Sequence, residues 1–294
     1  MRLRLPAAFC KSGAVSLLVL ALAIACAREH PPAGPAIPRH LVSLAPSLTE
    51  TVFALGLGDR LVGVDDFSLL PPSFAALPRL GGLLNPNLER TVALHPDLAL
   101  VVPSEAEVAA KLGRLGIASL IVPDETIADV ERSFVTIARR CGRKAVGERL
   151  AARFRAELAP ERLPGAPRVL LAVEHEPGRL AGIVVAGPRT YFDELLQRLG
   201  AVNVFADAPM RYPQVGIEEI LARAPDAILE LRNEALTPAQ RQALVRDWRQ
   251  LAGLPAVRRG RVAVIASDFV LPGPRLPLLY RAMRAALAGA GAPR

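Results

Sequence analysis

An acidic segment leading from a helix into a strand occurs twice in this chain, and any fold must place both copies. The first runs from Asn87 to Leu98 and sets Glu89 ahead of Pro96-Asp97; the second runs from Gly216 to Ala227 and sets Glu218 ahead of Pro225-Asp226. In each, the glutamate opens a short apolar helix, Pro-Asp follows, and an apolar strand comes next, Leu98 to Val102 and Ala227 to Leu231. Glu218 lies 129 positions after Glu89, and the same interval separates Arg39 from Arg168, each at the start of an apolar strand. A repeat of this kind predicts two lobes of related build, each presenting one carboxylate at an equivalent corner. The bland alternative for each glutamate is a favourable place in the first turn of a helix, worth roughly 0.3–1 kcal/mol against the helix dipole.

Short apolar strands alternate with helices on both sides of the repeat. In the first half the strands are His40 to Leu44, Leu61 to Val64, Leu98 to Val102 and Ser119 to Val122. Pro46-Ser47-Leu48-Thr49-Glu50 reads as a helix start, with Ser47 as N-cap and Glu50 completing a capping box; Gly56 ends that helix. In the second half the strands are Arg168 to Val173, Ala227 to Leu231 and Val262 to Ile265, with helices at Thr190 to Leu199, Pro238 to Leu251 and Arg275 to Leu287. Alternation of this sort predicts the α/β class, each lobe having a mostly parallel sheet flanked by helices. From Ile127 to Leu158 there is no proline, and apolar residues recur at helical spacing through Val130, Phe134, Ile137, Cys141, Leu150 and Phe154. Gly142 and Gly147 weaken it by roughly 1 kcal/mol each. Read as one helix it is about 30 residues and on the order of 45 Å long, a rigid spacer. The expected organisation is an N-terminal lobe at 39–125, a single long connecting helix at 126–160 and a C-terminal lobe at 165–290.

The first 25 residues read as an export signal. Arg2, Arg4 and Lys11 supply charge, and Val15 to Ile24 is apolar but too short to span a bilayer comfortably. Ala23-Ile24-Ala25 precedes Cys26, which fits ordinary signal cleavage and also lipoprotein processing with acylation at Cys26. Residues 26–38, with Pro31, Pro32, Pro35 and Pro38, form a linker. Cys141 sits at an apolar helical position and reads as inert packing, with a Cys26–Cys141 disulfide as the alternative if Cys26 is not acylated. The formal charge is +8, and +5 without the three leader cations. It is spread along the chain with no basic run interleaved with aromatics, which speaks against nucleic acid as a partner.

Several chemistries fail in context. Gly56-Leu57-Gly58 begins like a dinucleotide fingerprint, but it ends a helix and position 61 is leucine. No phosphate loop or nucleophile elbow is present. His30, His40, His95 and His175 lack metal-ligand spacing, so no metal site is assigned; His175, between Glu174 and Glu176, reads as part of a solvated polar loop. Nothing beyond the α/β class supports an enzyme.

Motifs spread over Arg39 to Leu287 carry a resemblance. They are Ala45-Pro46-Ser47-Leu48-Thr49-Glu50, Val62-Gly63-Val64, Asn85-Pro86-Asn87-Leu88-Glu89, Leu94-His95-Pro96-Asp97-Leu98, Leu199-Gly200-Ala201-Val202-Asn203-Val204-Phe205, Tyr212-Pro213-Gln214-Val215 and Ala224-Pro225-Asp226. In this order and spacing the chain resembles the periplasmic substrate-binding proteins whose two α/β lobes are joined by one long helix. These serve ABC importers of vitamin B12, haem and ferric siderophores, and the resemblance is strongest to the vitamin B12-binding branch. It implies a monomer that binds a corrinoid between its lobes and has no intrinsic cofactor. It also implies that Glu89 and Glu218 dock the two membrane subunits of the importer. Tyr212, Phe67, Asp268 and Phe269 fall at ligand-contact positions of that branch, with lobe packing as the alternative for the two phenylalanines. The chain departs from the branch at Val102, where a tryptophan can stand; its one tryptophan, Trp248, lies on a helix outside the cleft motifs. Haem would favour a tyrosinate such as Tyr212 on iron, and an anionic siderophore would favour Arg189, Arg211 or Arg275.

Overall fold

The structure, a computed structural model, describes residues 36–82 and 85–289. The leader, the Cys26 acylation site and the linker as far as residue 35 lie outside the described residues. Two sheets organise the rest. The first contains β1 (Leu41–Ser43), β2 (Leu61–Val64), β5 (Leu98–Val101) and β6 (Ser119–Ile121), all parallel, in the order β2-β1-β5-β6. A small antiparallel pair, β3 (Gly81–Gly82) and β4 (Asn85–Pro86), stands beside it. The second sheet contains β7 (Arg168–Glu174), β8 (Ile183–Val185), β9 (Val202–Asn203), β10 (Gln214–Val215), β11 (Ala227–Arg232) and β12 (Val262–Ala266). Its spine β7-β11-β12 is parallel, but at one edge β8 runs antiparallel to β7 and pairs antiparallel with β10 beyond it.

Helices cover both sheets: α1 (Pro46–Ala54), α2 (Leu88–Ala93), α3 (Ala106–Arg114), α4 (Ile127–Arg140), α5 (Lys144–Glu157), α6 (Tyr191–Arg198), α7 (Ile217–Arg223), α8 (Pro238–Arg249), α9 (Pro255–Arg258) and α10 (Leu276–Leu287). Alternation along the strands sets the layers. Leu41, Leu98, Leu100, Val169, Leu171, Leu229 and Leu231 join one apolar cluster shared by both lobes and by α4 and α5. The intervening residues face outward into separate cores, Val42, Ala99 and Val101 under α2 and α3, and Leu170, Ala172 and Ile228 against Trp248. A parallel sheet covered on both faces produces this pattern of buried residues at every strand position.

The single connecting helix predicted over 126–160 is instead two helices folded back on each other. Gly142 takes φ 73°, a left-handed conformation that ends α4, and Arg143 N closes the turn on Ala138 O at 2.7 Å. Phe134 and Phe154 then meet edge to face at 5.1 Å, and Glu131 pairs with Arg155 across the hairpin. Each helix has 14 residues and spans about 21 Å. Gly147 is the point of closest approach: a Cβ there would lie 2.5 Å from Ala138 Cβ and 2.6 Å from Phe134 O. Gly147→Ala is therefore expected to cost about 1–2 kcal/mol despite the better helix propensity of alanine. Gly113 in α3 has nothing within 4 Å, so Gly113→Ala is expected to add about 0.5 kcal/mol. Thermal melts of the two variants should move in opposite directions; a rise for Gly147→Ala would contradict the packed hairpin.

The duplicated motif has a shared structural role. In both copies the residue before Pro-Asp is left-handed, His95 at φ 48° and Ala224 at φ 45°. Asp97 Oδ2 then accepts from Arg39 N (2.6 Å) and His40 N (2.8 Å), and Asp226 Oδ2 accepts from Arg168 N (3.2 Å). Each Pro-Asp thus anchors the first strand of its own lobe, which explains why both pairs keep the 129-residue interval.

Candidate functional site

In open α/β sheets ligands bind beyond the carboxyl ends of parallel strands. Both lobes turn those ends toward a common seam. From the first sheet, Asp65 follows β2, Glu105 follows β5 after a 3-10 turn, and Asp124 follows β6. From the second come Tyr212 ahead of β10 and Asp268 and Phe269 after β12. The lobes are stitched at this seam: Tyr191 N donates to Glu125 O (2.7 Å) and Ile127 N to Glu194 Oε2 (2.7 Å), while within the first lobe Ser47 Oγ donates to Asp124 Oδ2 (2.9 Å).

Phe67 is held out by its own loop. Asp65 accepts from Phe67 N at 2.8 Å and from Ser68 Oγ, an Asx turn that is braced by Arg79 Nη1 on the carbonyls of Asp65 (2.9 Å) and Ser68 (2.7 Å). The ring lies against Gly82 and remains 70% exposed, with Leu69 beside it at 67%. This is a costly place for an aromatic side chain with nothing to cover it. Phe269 differs: it is half-buried against the shared core, as is Tyr212. Asp268 is bound on both oxygens, by Ser267 Oγ (2.9 Å) and Arg275 Nη1 (2.6 Å); burial would raise its carboxyl, but those hydrogen bonds outweigh it and hold it below the usual range.

The floor of the seam is acidic. Burial pushes Glu105 up to about 7, with Asp65 and Asp124 adding repulsion; its Oε2 accepts from Val102 N at 3.1 Å while Oε1 has no partner. Burial likewise raises Asp124 to about 6 and lifts Asp65 above the usual carboxylate range. Burial, followed by the charges of Glu125 and Asp124, drives the Tyr212 phenol well up, so Tyr212 offers a neutral ring. Because the folded carboxyl of Glu105 holds its proton more tightly than the unfolded one, its contribution is favourable below about 4.5 and is lost as pH rises through about 7, on the order of 3 kcal/mol in all. Glu105→Gln is expected to flatten that decline and to be the more stable form at pH 8 in urea unfolding; an unchanged pH profile would remove Glu105 as its source.

Two local readings change. Ser47 and Glu50 do not form a capping box: α1 starts at Pro46 with Ala45 as N-cap and no side-chain cap, because Ser47 is bonded to Asp124 within its own lobe and Glu50 to Arg275 across the seam. His175 is not in a solvated loop. It is 2% exposed, with Nδ1 3.0 Å from Glu230 Oε2 and Nε2 3.3 Å from Asp247 Oδ2, so both ring nitrogens face carboxylates; burial opposes the charged ring, but the hydrogen bonds to Glu230 and Asp247 and the Glu230 charge outweigh it and raise the imidazole above its usual range. Trp248 Nε1 also donates to Glu230 Oε2 (2.7 Å), and Arg232 Nε to Glu230 Oε1 (2.8 Å). This closed set pins the end of β7 to α8. Its sequence signal was Glu230, a carboxylate inside an apolar strand, which requires buried partners. Among the described residues no cluster of His, Cys, Asp and Glu is arranged to hold a metal ion. Cys141 is a buried free thiol, and Cys26, its partner in the alternative disulfide, lies outside the described residues.

Glu89 and Glu218 occupy equivalent places in the two lobes. Each is exposed in the first turn of its helix, α2 and α7, and neither has an ion-pair partner among the described residues. The neighbouring Glu219 is committed to Arg223 at 3.0 Å. Of the arginines considered for an anionic ligand, Arg275 is taken up by Glu50 and Asp268, while Arg211 Nε donates to Arg189 O at 3.1 Å.

Comparison with known proteins places the chain. A family model described as periplasmic binding protein matches residues 41–269. The vitamin B12-binding protein of Vibrio parahaemolyticus is 29% identical over 239 residues, 80% of this chain and 84% of that protein. The solved periplasmic vitamin B12-binding protein of Vibrio cholerae superposes with a TM-score of 0.71 at 26% identity, over 85% of this chain and 97% of that one. A periplasmic haem-binding protein from Pseudomonas aeruginosa superposes with a TM-score of 0.72 at 27% identity, over 87% and 95% respectively.

Proposed function

The chain belongs to the periplasmic binding protein family, and from that premise we propose that it holds a corrinoid such as vitamin B12 between its lobes and delivers it to the membrane subunits of an ABC importer. The observation that carries the choice of ligand is the electrostatic setting of Tyr212. Its phenol sits close to Asp124 and Glu125 in a half-buried seam, and both burial and those charges favour the neutral form. A neutral ring suits van der Waals contact with a flat macrocycle. The acidic floor repels the carboxylates of haem and of anionic siderophores. Phe67, Tyr212, Asp268 and Phe269 are the proposed ligand contacts, with Phe67 supplied by the first lobe and the others by the second.

Glu89 and Glu218 are the proposed docking carboxylates, one per lobe, meeting a two-fold partner. Export by the 1–25 leader, with acylation at Cys26, completes the proposed route to the envelope, and the body works as a monomer.

Haemin tests the ligand choice. The protein mixed with haemin at pH 8 is expected to show no iron–phenolate absorption, and excess haemin should not displace cyanocobalamin. A tight haemin complex whose phenolate absorption vanishes in Tyr212→Phe would replace the corrinoid with haem.

A further inference from the structure

One ion-paired relay crosses the seam from the first lobe to a ligand-contact loop of the second. Arg275, immediately before α10, donates to Glu50 Oε1 from Nε (2.9 Å) and from its backbone amide (3.1 Å). Its Nη1 donates to Asp268 Oδ2 at 2.6 Å, and Nη2 reaches Asp268 O at 3.4 Å. Glu50 is on α1, 225 residues away in sequence. The loop between Asp268 and Arg275 closes tightly on it: a Cβ at Gly273 would come within 3.1 Å of Glu50 Oε2. Glu50 and Asp268 therefore share one guanidinium, and Ser267 Oγ fixes the remaining oxygen of Asp268 at 2.9 Å. The side chains of Glu50, Arg275 and Asp268 are 18%, 38% and 36% exposed, so the relay lies at the cleft margin, partly shielded from solvent.

We propose that Glu50 is a positioning residue for ligand binding: acting through Arg275, it fixes the direction of Asp268 and the Asp268–Phe269 turn from the opposite lobe. The proposal rests on the reading of Asp268 as a ligand contact. Without Glu50 the guanidinium has only Asp268 to satisfy, the amide of Arg275 loses its acceptor, and the turn is no longer tied to the first lobe. A ligand must then order the turn on binding, and affinity falls by that ordering cost.

A double-mutant cycle on cyanocobalamin affinity separates this from a general loss of structure. Glu50→Ala and Asp268→Asn are each expected to weaken binding about tenfold. The double variant should fall within about twofold of the weaker single variant, because both act through one guanidinium. Glu50→Gln, which keeps an acceptor for the amide but not the charge, should lie between wild type and Glu50→Ala. Additive losses, about a hundredfold in the double variant, would overturn the relay. Hydrogen exchange of the ligand-free protein supplies the second readout: Val270 to Leu279 should exchange faster in Glu50→Ala while β7 and β11 stay protected. Unchanged exchange in that segment would also overturn it. If wild-type protein binds no cyanocobalamin, the corrinoid reading fails, and the exchange result decides the relay by itself.

Discussion

Reversing charge at both Glu89 and Glu218 is expected to abolish ligand delivery while leaving ligand affinity within twofold of wild type. Both carboxylates are exposed, unpaired among the described residues, and at the same place in the duplicated segment. The Pro-Asp of each copy is committed to its own lobe through Asp97 and Asp226, so the glutamate is the part of the motif left for a partner. Rim charges of this type steer encounter and fix register, and placing like charges opposite one another costs several kcal/mol. A loss of roughly 3 kcal/mol at the docking step is about a hundredfold. Uptake by vesicles carrying the reconstituted importer reads it, with Glu148→Arg on α5 as the control. Single variants should be intermediate, since each breaks one of two contacts. Wild-type uptake by the Glu89→Arg/Glu218→Arg protein would refute the docking assignment.

Tyr212→Ala should weaken corrinoid binding about 10- to 100-fold, the scale of losing a buried aromatic anchor of 1.5–3 kcal/mol. The ring is half-buried against the shared core and close to Asp124 and Glu125, so it already has a fixed seat before ligand arrives. Tyr212→Phe keeps the ring and, because the phenol stays neutral, should remain within about threefold of wild type. The contrast between Ala and Phe distinguishes ring contact from hydroxyl chemistry. Calorimetry that finds Tyr212→Ala equal to wild type, or Tyr212→Phe as poor as Tyr212→Ala, would remove the ring from the site.

Much of the fold was legible because the strands are short, apolar and punctuated. Leu61 to Val64 was read at its observed bounds, and Gly56, left-handed at φ 67°, ends its helix where the pattern does. The hairpin of α4 and α5 was not legible: apolar spacing runs on through Gly142, and only its positive φ reveals the reversal. Ser47 and Glu50 fit a local cap by sequence, yet their partners Asp124 and Arg275 are 77 and 225 residues away. The antiparallel edge strands β8 and β10 have three and two residues, too few for a period to show. The acidic floor was missed for a related reason. Asp65, Glu105 and Asp124 each follow a different strand end and look like ordinary loop residues until the sheet gathers them.

The most direct test of the central claim is a calorimetric titration of the protein with cyanocobalamin at several temperatures. The account predicts one site, a Kd below about 1 μM (about −8 kcal/mol), and a negative heat-capacity change from apolar burial in the seam. No binding heat from cyanocobalamin, together with sub-micromolar binding of haemin by the same protein, would contradict it.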